Sequence, residues 1–369
     1  METLLSVVIV NYRVKWLLEQ TLASVMEATE GLPTQVIVVD NNSGDDSIEH
    51  ARRRFPQVTF IENRENVGFG RANNQAISQA TGTYCLLLNP DTIVTAATIA
   101  ACLEWMKGHE RCGAIGVRMV DANGVFLPES KRAFPTPWVS FCKIFGLSKL
   151  FPRSPLFAKY HLRYLSDREP QDVDILSGAF MFCRTALLQD LGGFDEDFFM
   201  YGEDIDLSYR IVKAGYHNWF LPAEIIHYKG ESTQKNTMRY VRVFYEAMLI
   251  FYRKHFPRYR LVVYPFIKLG VWVRMSMAML RRVFRRGGSR PAHHRWVILS
   301  KTPQEVATAC RISTFATQVP VAGEADVVVD NGDHNYGEIV QAIASLSRRG
   351  LSFHIFSREN NLLISPKMQ

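Results

Sequence analysis

No Cys-x-x-Cys pair occurs in this chain of 369 residues, so neither a zinc knuckle nor a dithiol redox motif has its ligands. The six cysteines are scattered, mostly among apolar residues, as expected of free buried thiols in a reducing compartment. There is no Walker lysine, internal repeat or low-complexity tract. No recognised nucleic-acid module is visible, so nucleic acid is not an expected partner. The opening residues, Met1-Glu2-Thr3-Leu4-Leu5, carry no basic n-region, so no signal peptide is expected. The setting these absences favour is the cytoplasm, or the cytosolic face of an inner or plasma membrane.

What is present describes a folded protein. Hydrophobic residues make up 47% and charged residues 21%, outside the range of disordered chains. The length allows a large core and more than one unit. The formal charge of +7 is uneven, with basic residues crowding between Arg253 and Arg295. Such a block points to phosphates or an anionic membrane surface.

Residues 4 to 120 read as alternating buried strands and helices, beginning with the apolar run Leu5 to Val10. The alternation predicts an α/β fold with an open, mostly parallel sheet and helices on both faces. Ligands of such sheets bind at the carboxyl ends of strands, where Asn11, Asp40 and Asp91 fall. Residues 121 to 172, interrupted by six prolines, read as an excursion over the sheet on the acceptor side. A strand over Asp174 to Cys183 and helices over Asp204 to Ala214 and Thr237 to His255 follow. The expected units are residues 1–257, a basic amphipathic segment over 258–286, a linker over 287–292 and a small α/β domain over 293–369. Between Arg260 and Arg286 the basic side chains fall within a helical arc of roughly 140°, the pattern of a helix lying in a membrane interface. Asp330-Asn331-Gly332-Asp333-His334 reads as a turn after a buried strand, not a metal site.

Several strand ends carry chemistry. Asp40, followed by Asn41, Asn42 and Ser43, suits a base N–H or a ribose hydroxyl, and equally an Asx turn. The turn containing Asn66, Gly68, Gly70 and Arg71 enters a helix, where backbone N–H groups and an arginine fork favour phosphate. Asn73 stands where the third glycine of a dinucleotide fingerprint belongs, and glycine for backbone angles alone would serve as well. Asn89-Pro90-Asp91 ends the strand Tyr84 to Leu88. Asp91 is placed to bridge a hard divalent cation, magnesium or manganese, to a diphosphate. His227 is a candidate second metal ligand, and Lys229 could face the diphosphate. The densest carboxylate cluster, Glu203-Asp204-Ile205-Asp206, opens a helix. Asp204 is the expected base, with Glu203 beside it, since transfer to a hydroxyl needs a base for the acceptor proton. Asp206, deeper in the helix, is assigned a structural role.

Taken in order, Val10-Asn11-Tyr12, Val39-Asp40-Asn41-Asn42-Ser43, Glu65-Asn66-Val67-Gly68-Phe69-Gly70, Leu88-Asn89-Pro90-Asp91 and Gly202-Glu203-Asp204-Ile205-Asp206-Leu207 resemble the inverting GT-A glycosyltransferases of family 2, in the rhamnosyltransferase-like branch. The resemblance covers residues 4 to 257. It implies the GT-A nucleotide-diphospho-sugar transferase fold, a nucleotide-diphosphate sugar donor, a divalent metal and inversion at the anomeric carbon. Carried over, Asp40 contacts base or ribose, Asp91 holds metal with His227 beside it, and Asp204 is the base. The branch also implies a deoxythymidine diphosphate rhamnose donor and a glycan or lipid-linked acceptor. Asn89 departs from the wider Asp-x-Asp pattern, as is common in the branch. Two other classes remain open at this point. A nucleotidyltransferase would need an early Gly-rich, basic phosphate loop, and a non-catalytic scaffold would have no use for Asp91, Glu203, Asp204 and His227 together.

Overall fold

The computed structural model describes residues 2–228, 238–257, 265, 295–319, 324–347 and 351–365. Apart from residue 265, the basic segment expected over 258–286, the linker beyond it and Lys229 lie outside the described residues.

The first sheet is assembled from β1 (Leu5–Asn11), β2 (Thr34–Asp40), β3 (Thr59–Glu62), β4 (Tyr84–Leu88), β5 (Thr92–Ile93), β6 (Cys112–Val120), β8 (Gln171–Val173), β10 (Phe180–Arg184) and β11 (His217–His227). Their order is β3-β2-β1-β4-β10-β6-β11-β5, with β8 on β11. The expected open α/β sheet is therefore present. A separate two-stranded ladder joins β7 (Lys131–Arg132) to β9 (Ile175–Leu176). Along β1 successive side chains alternate between two apolar clusters. Leu5, Val7 and Ile9 pack with the helices Lys15–Ala28, Ser47–Arg54 and Ala96–Gly108. Val8 and Val10 pack with Phe69–Ile77, Thr185–Asp190 and Glu203–Lys213. Both faces are covered, which is why the strands read as continuous apolar runs.

The chain departs from simple alternation in the middle of the sheet. β10 runs antiparallel between β4 and β6. It enters after the excursion over residues 121–170, which leaves β6 at its carboxyl end, and a chain returning from that edge must run down the sheet. The single strand expected over Asp174 to Cys183 is broken into β9 and β10 by the turn at Ser177-Gly178-Ala179. β11 is one strand, with a register shift between Leu221 and Glu224 at Pro222, which has no N–H for the ladder.

A second sheet comprises β12 (Trp296–Leu299), β13 (Phe315–Ala316), β14 (Ala325–Asp330), β15 (Leu351–Ser357) and β16 (Leu362–Ile364), ordered β13-β12-β14-β15-β16. It is parallel except at β16. At its carboxyl edge Asp330 accepts from the Gly332 N–H at 2.9 Å and pairs with Arg358, the turn that the sequence favoured over a metal site. This sheet shares an apolar cluster with the first unit. Val327, Val329, Tyr336, Ile339 and Phe353 pack in one body with Val14, Leu17, Ile93, Val120, Ile226 and Tyr228. The Tyr336 N–H donates to Glu27 Oε1 at 2.8 Å, and Ser347 Oγ to the Asn123 carbonyl at 2.7 Å. Because that core is common, Ile339→Ala should destabilise by about 2–5 kcal/mol, and calorimetry should show both units melting earlier together. A low-temperature transition split from an unshifted main one would mean that the units are energetically independent.

Candidate active site

The carboxyl edge of the first sheet gathers most of the expected residues. Asn11 ends β1 with its side chain fully buried. Its Nδ2 donates toward Asp40 Oδ1 at 2.8 Å, Ser43 Oγ at 3.0 Å and Ser47 Oγ at 2.9 Å, while its buried Oδ1 has no partner. Asp40 ends β2, and the Ser43 N–H and hydroxyl both donate to its carboxylate. The Asx turn is thus present at the expected nucleotide residue. Asn42 lies exposed on that turn in the left-handed region, at φ 62°, a conformation asparagine tolerates.

Asn41, which carried no assignment of its own from sequence, joins this turn to the next loop. Its Nδ2 donates to Asn66 Oδ1 at 3.0 Å, and its Oδ1 accepts from the Val67 N–H at 3.0 Å. Gly68 then sits at φ 91°. A Cβ there would come within 2.8 Å of the Phe199 carbonyl, which already accepts the Phe69 N–H at 2.9 Å. Close approach to the segment before the carboxylate helix therefore accounts for this glycine. Arg71 is exposed, 3.2 Å from Glu196.

β4 and β11 bring the metal candidates together. His227 pairs with Thr92 across the β11–β5 ladder, which sets its Nε2 3.3 Å from Asp91 Oδ1 and 3.4 Å from Asn89 Nδ2. Asp91 is 2% exposed, and its Oδ1 has no hydrogen-bond donor. A buried carboxylate oxygen without a donor, facing an imidazole nitrogen, fits a hard divalent cation whose remaining positions go to water and phosphate. Among the described residues no group of three or more His, Cys, Asp or Glu could hold a metal.

The carboxylate helix Glu203–Lys213 starts after Gly202. Asp204 accepts from the Gly178 N–H at 3.3 Å and the Ile205 N–H at 2.8 Å, and forms an ion pair with Arg132. A Cβ on Gly178 would lie 3.3 Å from that of Asp204, so the broken strand passes close to the carboxylate. Next along the chain, the Ala179 carbonyl accepts the Asn89 N–H at 3.0 Å. Two adjacent residues of one turn thereby connect Asp204 to the Asn89–Asp91 corner. Glu203 is buried with Oε2 unpartnered. Burial, and then the neighbouring Asp204 charge, push its carboxyl up to about 8. Asp206 is fully buried, 2.6 Å from both Arg210 and His255. The Arg210 pair lies within the carboxylate helix, and the His255 contact ties the helix Met238–His255 to it.

Sequence reasoning missed Arg132. Its Nη2 also donates to the Leu176 carbonyl at 2.7 Å, and it hydrogen-bonds the Tyr160 side chain together with Lys143. Burial raises the Tyr160 phenol, but Lys143 and Arg132 reverse this and leave it below its ordinary value. Burial, followed by the same cations and Arg163, brings His161 down to about 3. The one available signal was the Lys131-Arg132 pair at the head of residues 130–166, a stretch that contains no Asp or Glu.

Residues 6–192 match Glycosyl transferase family 2. The chain is 31% identical over 263 residues to the N-acetylglucosaminyl-diphospho-decaprenol L-rhamnosyltransferase of Mycobacterium tuberculosis, covering 68% of this chain and 84% of that protein. It is 28% identical over 204 residues to the rhamnosyltransferase WbbL of Escherichia coli, covering 52% and 72% respectively. The mannosyltransferase PcManGT from Pyrobaculum calidifontis, solved with GDP-Man and Mn2+, is 19% identical, with a TM-score of 0.47 over 79% of this chain and 78% of that one.

Glu203 should register in the pH dependence of stability. The folded state holds a proton there up to about 8, while the unfolded chain releases it near 4.5, the ordinary value of a glutamate. Rising pH therefore costs stability across that window. Glu203→Gln should flatten this segment of the profile, so its stability relative to wild type grows between those values and levels above them. Parallel urea-unfolding profiles would show that Glu203 is not the group responsible.

Proposed function

We propose, since the chain belongs to glycosyl transferase family 2 and to its rhamnosyltransferase-like branch, that it is a metal-dependent inverting enzyme. The proposed reaction moves rhamnose from deoxythymidine diphosphate rhamnose to a hydroxyl of a glycan or lipid-linked acceptor. Nucleotide-sugar glycosyl transfer is the family's chemistry. The finer reading is supported by one observation above all, the joining of the corner that holds the buried Asp91–His227 pair to Asp204 through Ala179 and Gly178 of a single turn.

In this reading Asp204 accepts the proton of the acceptor hydroxyl as its oxygen attacks the anomeric carbon. Attack opposite the departing diphosphate inverts that carbon. Arg132 and the Gly178 N–H hold the carboxylate in one orientation, as general-base work requires. Glu203 keeps a proton near neutral pH beside it. Asp91 and His227 would hold magnesium or manganese, which supplies positive charge to the leaving diphosphate. The donor side comprises Asn11, Asp40, Asn42, Asn66, Gly68, Arg71 and Asn89. The unpartnered Asn11 Oδ1 is a buried acceptor available to a nucleotide N–H or hydroxyl. The acceptor named for the mycobacterial relative, a decaprenol-linked diphospho-sugar, favours work at an anionic membrane on its cytosolic side. Among the described residues no helix is long and apolar enough to cross a membrane.

Thermal stabilisation by nucleoside diphosphates and nucleotide-sugars, with and without magnesium or manganese, tests donor and metal together. A metal-dependent shift with one nucleotide-sugar is expected, and Asp91→Asn should remove its metal dependence. No shift with any of them, from folded protein, would overturn the reading. Asp204→Asn should cut turnover by about 10²–10⁴-fold with the donor-induced shift nearly intact. Turnover close to wild type would remove Asp204 from the role of base.

A further inference from the structure

The excursion over residues 121–172 carries an apolar surface that the site does not use. Five of the eight large hydrophobic side chains exposed among the described residues fall between Trp138 and Leu156. They are Trp138, Phe145, Leu150, Phe151 and Leu156, with Leu150 at 70% exposure and Trp138 at 45%. The rings brace one another across two short helices, Pro137–Ile144 and Leu147–Leu150. Trp138 stacks on Phe141 at 5.7 Å between centroids, and Phe151 lies 5.1 Å from Phe157. The Trp138 indole N–H donates to the Leu156 carbonyl at 3.1 Å. The platform is therefore built, with its outer side open. Contiguous exposed apolar surface of this kind marks an interaction site.

Charge identifies the occupant. From Ser130 to Ser166 there is no Asp or Glu, against seven Lys and Arg. Lys149, Arg153, Lys159 and Arg163 are exposed around the aromatics. Self-pairing of two copies would set these like charges against each other with no acid in the patch to offset them. The chain's own basic stretch between Arg253 and Arg295 has the same sign. Aromatic side chains flanked by lysine and arginine are the composition that settles at the headgroup level of a bilayer.

We propose that residues 137–159 form a docking surface for an anionic lipid bilayer and orient the active site toward an acceptor embedded in it. The orienting part rests on the glycosyl-transfer reading above, whereas the docking part stands on the patch. A chain of contacts joins the two. Lys143 Nζ lies 3.3 Å from the Tyr160 ring centroid, Tyr160 hydrogen-bonds Arg132, and Arg132 pairs with Asp204. The Tyr252 hydroxyl donates to the Pro135 carbonyl and lies 3.0 Å from Ser140 Oγ, which fixes the base of the platform to the helix Met238–His255.

Flotation of the full chain with vesicles tests this. Vesicles of phosphatidylcholine mixed with phosphatidylglycerol should carry the wild type, and phosphatidylcholine alone should carry much less. Phe145→Ser, Leu150→Ser and Phe151→Ser together, or Lys149→Glu, Arg153→Glu and Lys159→Glu together, should each lower partitioning by roughly ten-fold or more. Melting temperature and the donor-induced shift in solution should stay at wild-type values, since these side chains are exposed and outside the site. Brominated lipid should quench tryptophan emission of the wild type, with the quenched component absent in Trp138→Phe. Unchanged partitioning of a folded variant, or no quenching assignable to Trp138, overturns the proposal. So does self-association of the wild type that the same substitutions abolish without any vesicle binding. Failure of the glycosyl-transfer reading has a separate signature, a missing donor-induced shift in a wild type that still floats.

Discussion

Arg132 faces two adjacent carboxyls with a single guanidinium, and much of the site's arrangement follows from how that charge is divided. Asp204 takes the direct ion pair. Glu203, buried one residue earlier, is left with burial and the Asp204 charge as the dominant influences, and its carboxyl moves up to about 8. Glu203 is thereby set apart from its neighbour by burial and by an Oε2 that has no direct partner. A buried ion pair adds little net stability when formed, yet loss of one partner costs about 3–5 kcal/mol because a charge is stranded. Arg132 is accordingly a structural tie between the excursion over residues 121–172 and the carboxylate helix, and the element that aims Asp204. Its other donors, to the Leu176 carbonyl and Tyr160, keep it from following Asp204 if that side chain moves.

Legibility in the sequence tracked the range of the interactions. Asn11, Asp40 and Asp91 could be read because a buried parallel strand declares its carboxyl end through an apolar run that stops at a polar residue. The alternation of elements that produced the open sheet was equally local. The antiparallel insertion of β10 was not, since it depends on the path of a proline-interrupted segment with no periodicity. Arg132 was hidden for the same reason, its partner lying 72 residues away. The difference between Glu203 and Asp204 depends on burial, which neighbouring residues in the chain do not reveal. Gly68 could be recognised as special, but the approach of Phe199 that requires it is a tertiary fact. The aromatics between Trp138 and Phe157 sit in a segment without periodicity, and the exposure of Trp138, Phe145 and Phe151 is what sets them apart.

The end of β11 couples the chemistry to the second sheet. His227 and Tyr228 follow one another on an extended chain, where successive side chains point to opposite sides. The His227 imidazole turns toward Asp91, while Tyr228 enters the apolar cluster shared with β14, β15 and the helix Tyr336–Leu346. The Tyr228 N–H also donates to the Asp91 carbonyl at 2.9 Å, so backbone as well as side chains join this corner. Ile93 and Ile226, a paired position of the β5–β11 ladder, lie in the same cluster. The second sheet therefore supports the floor beneath the Asp91–His227 pair. The residues beyond Ser289 fall outside the family resemblance, yet they complete the support of the residues that carry it.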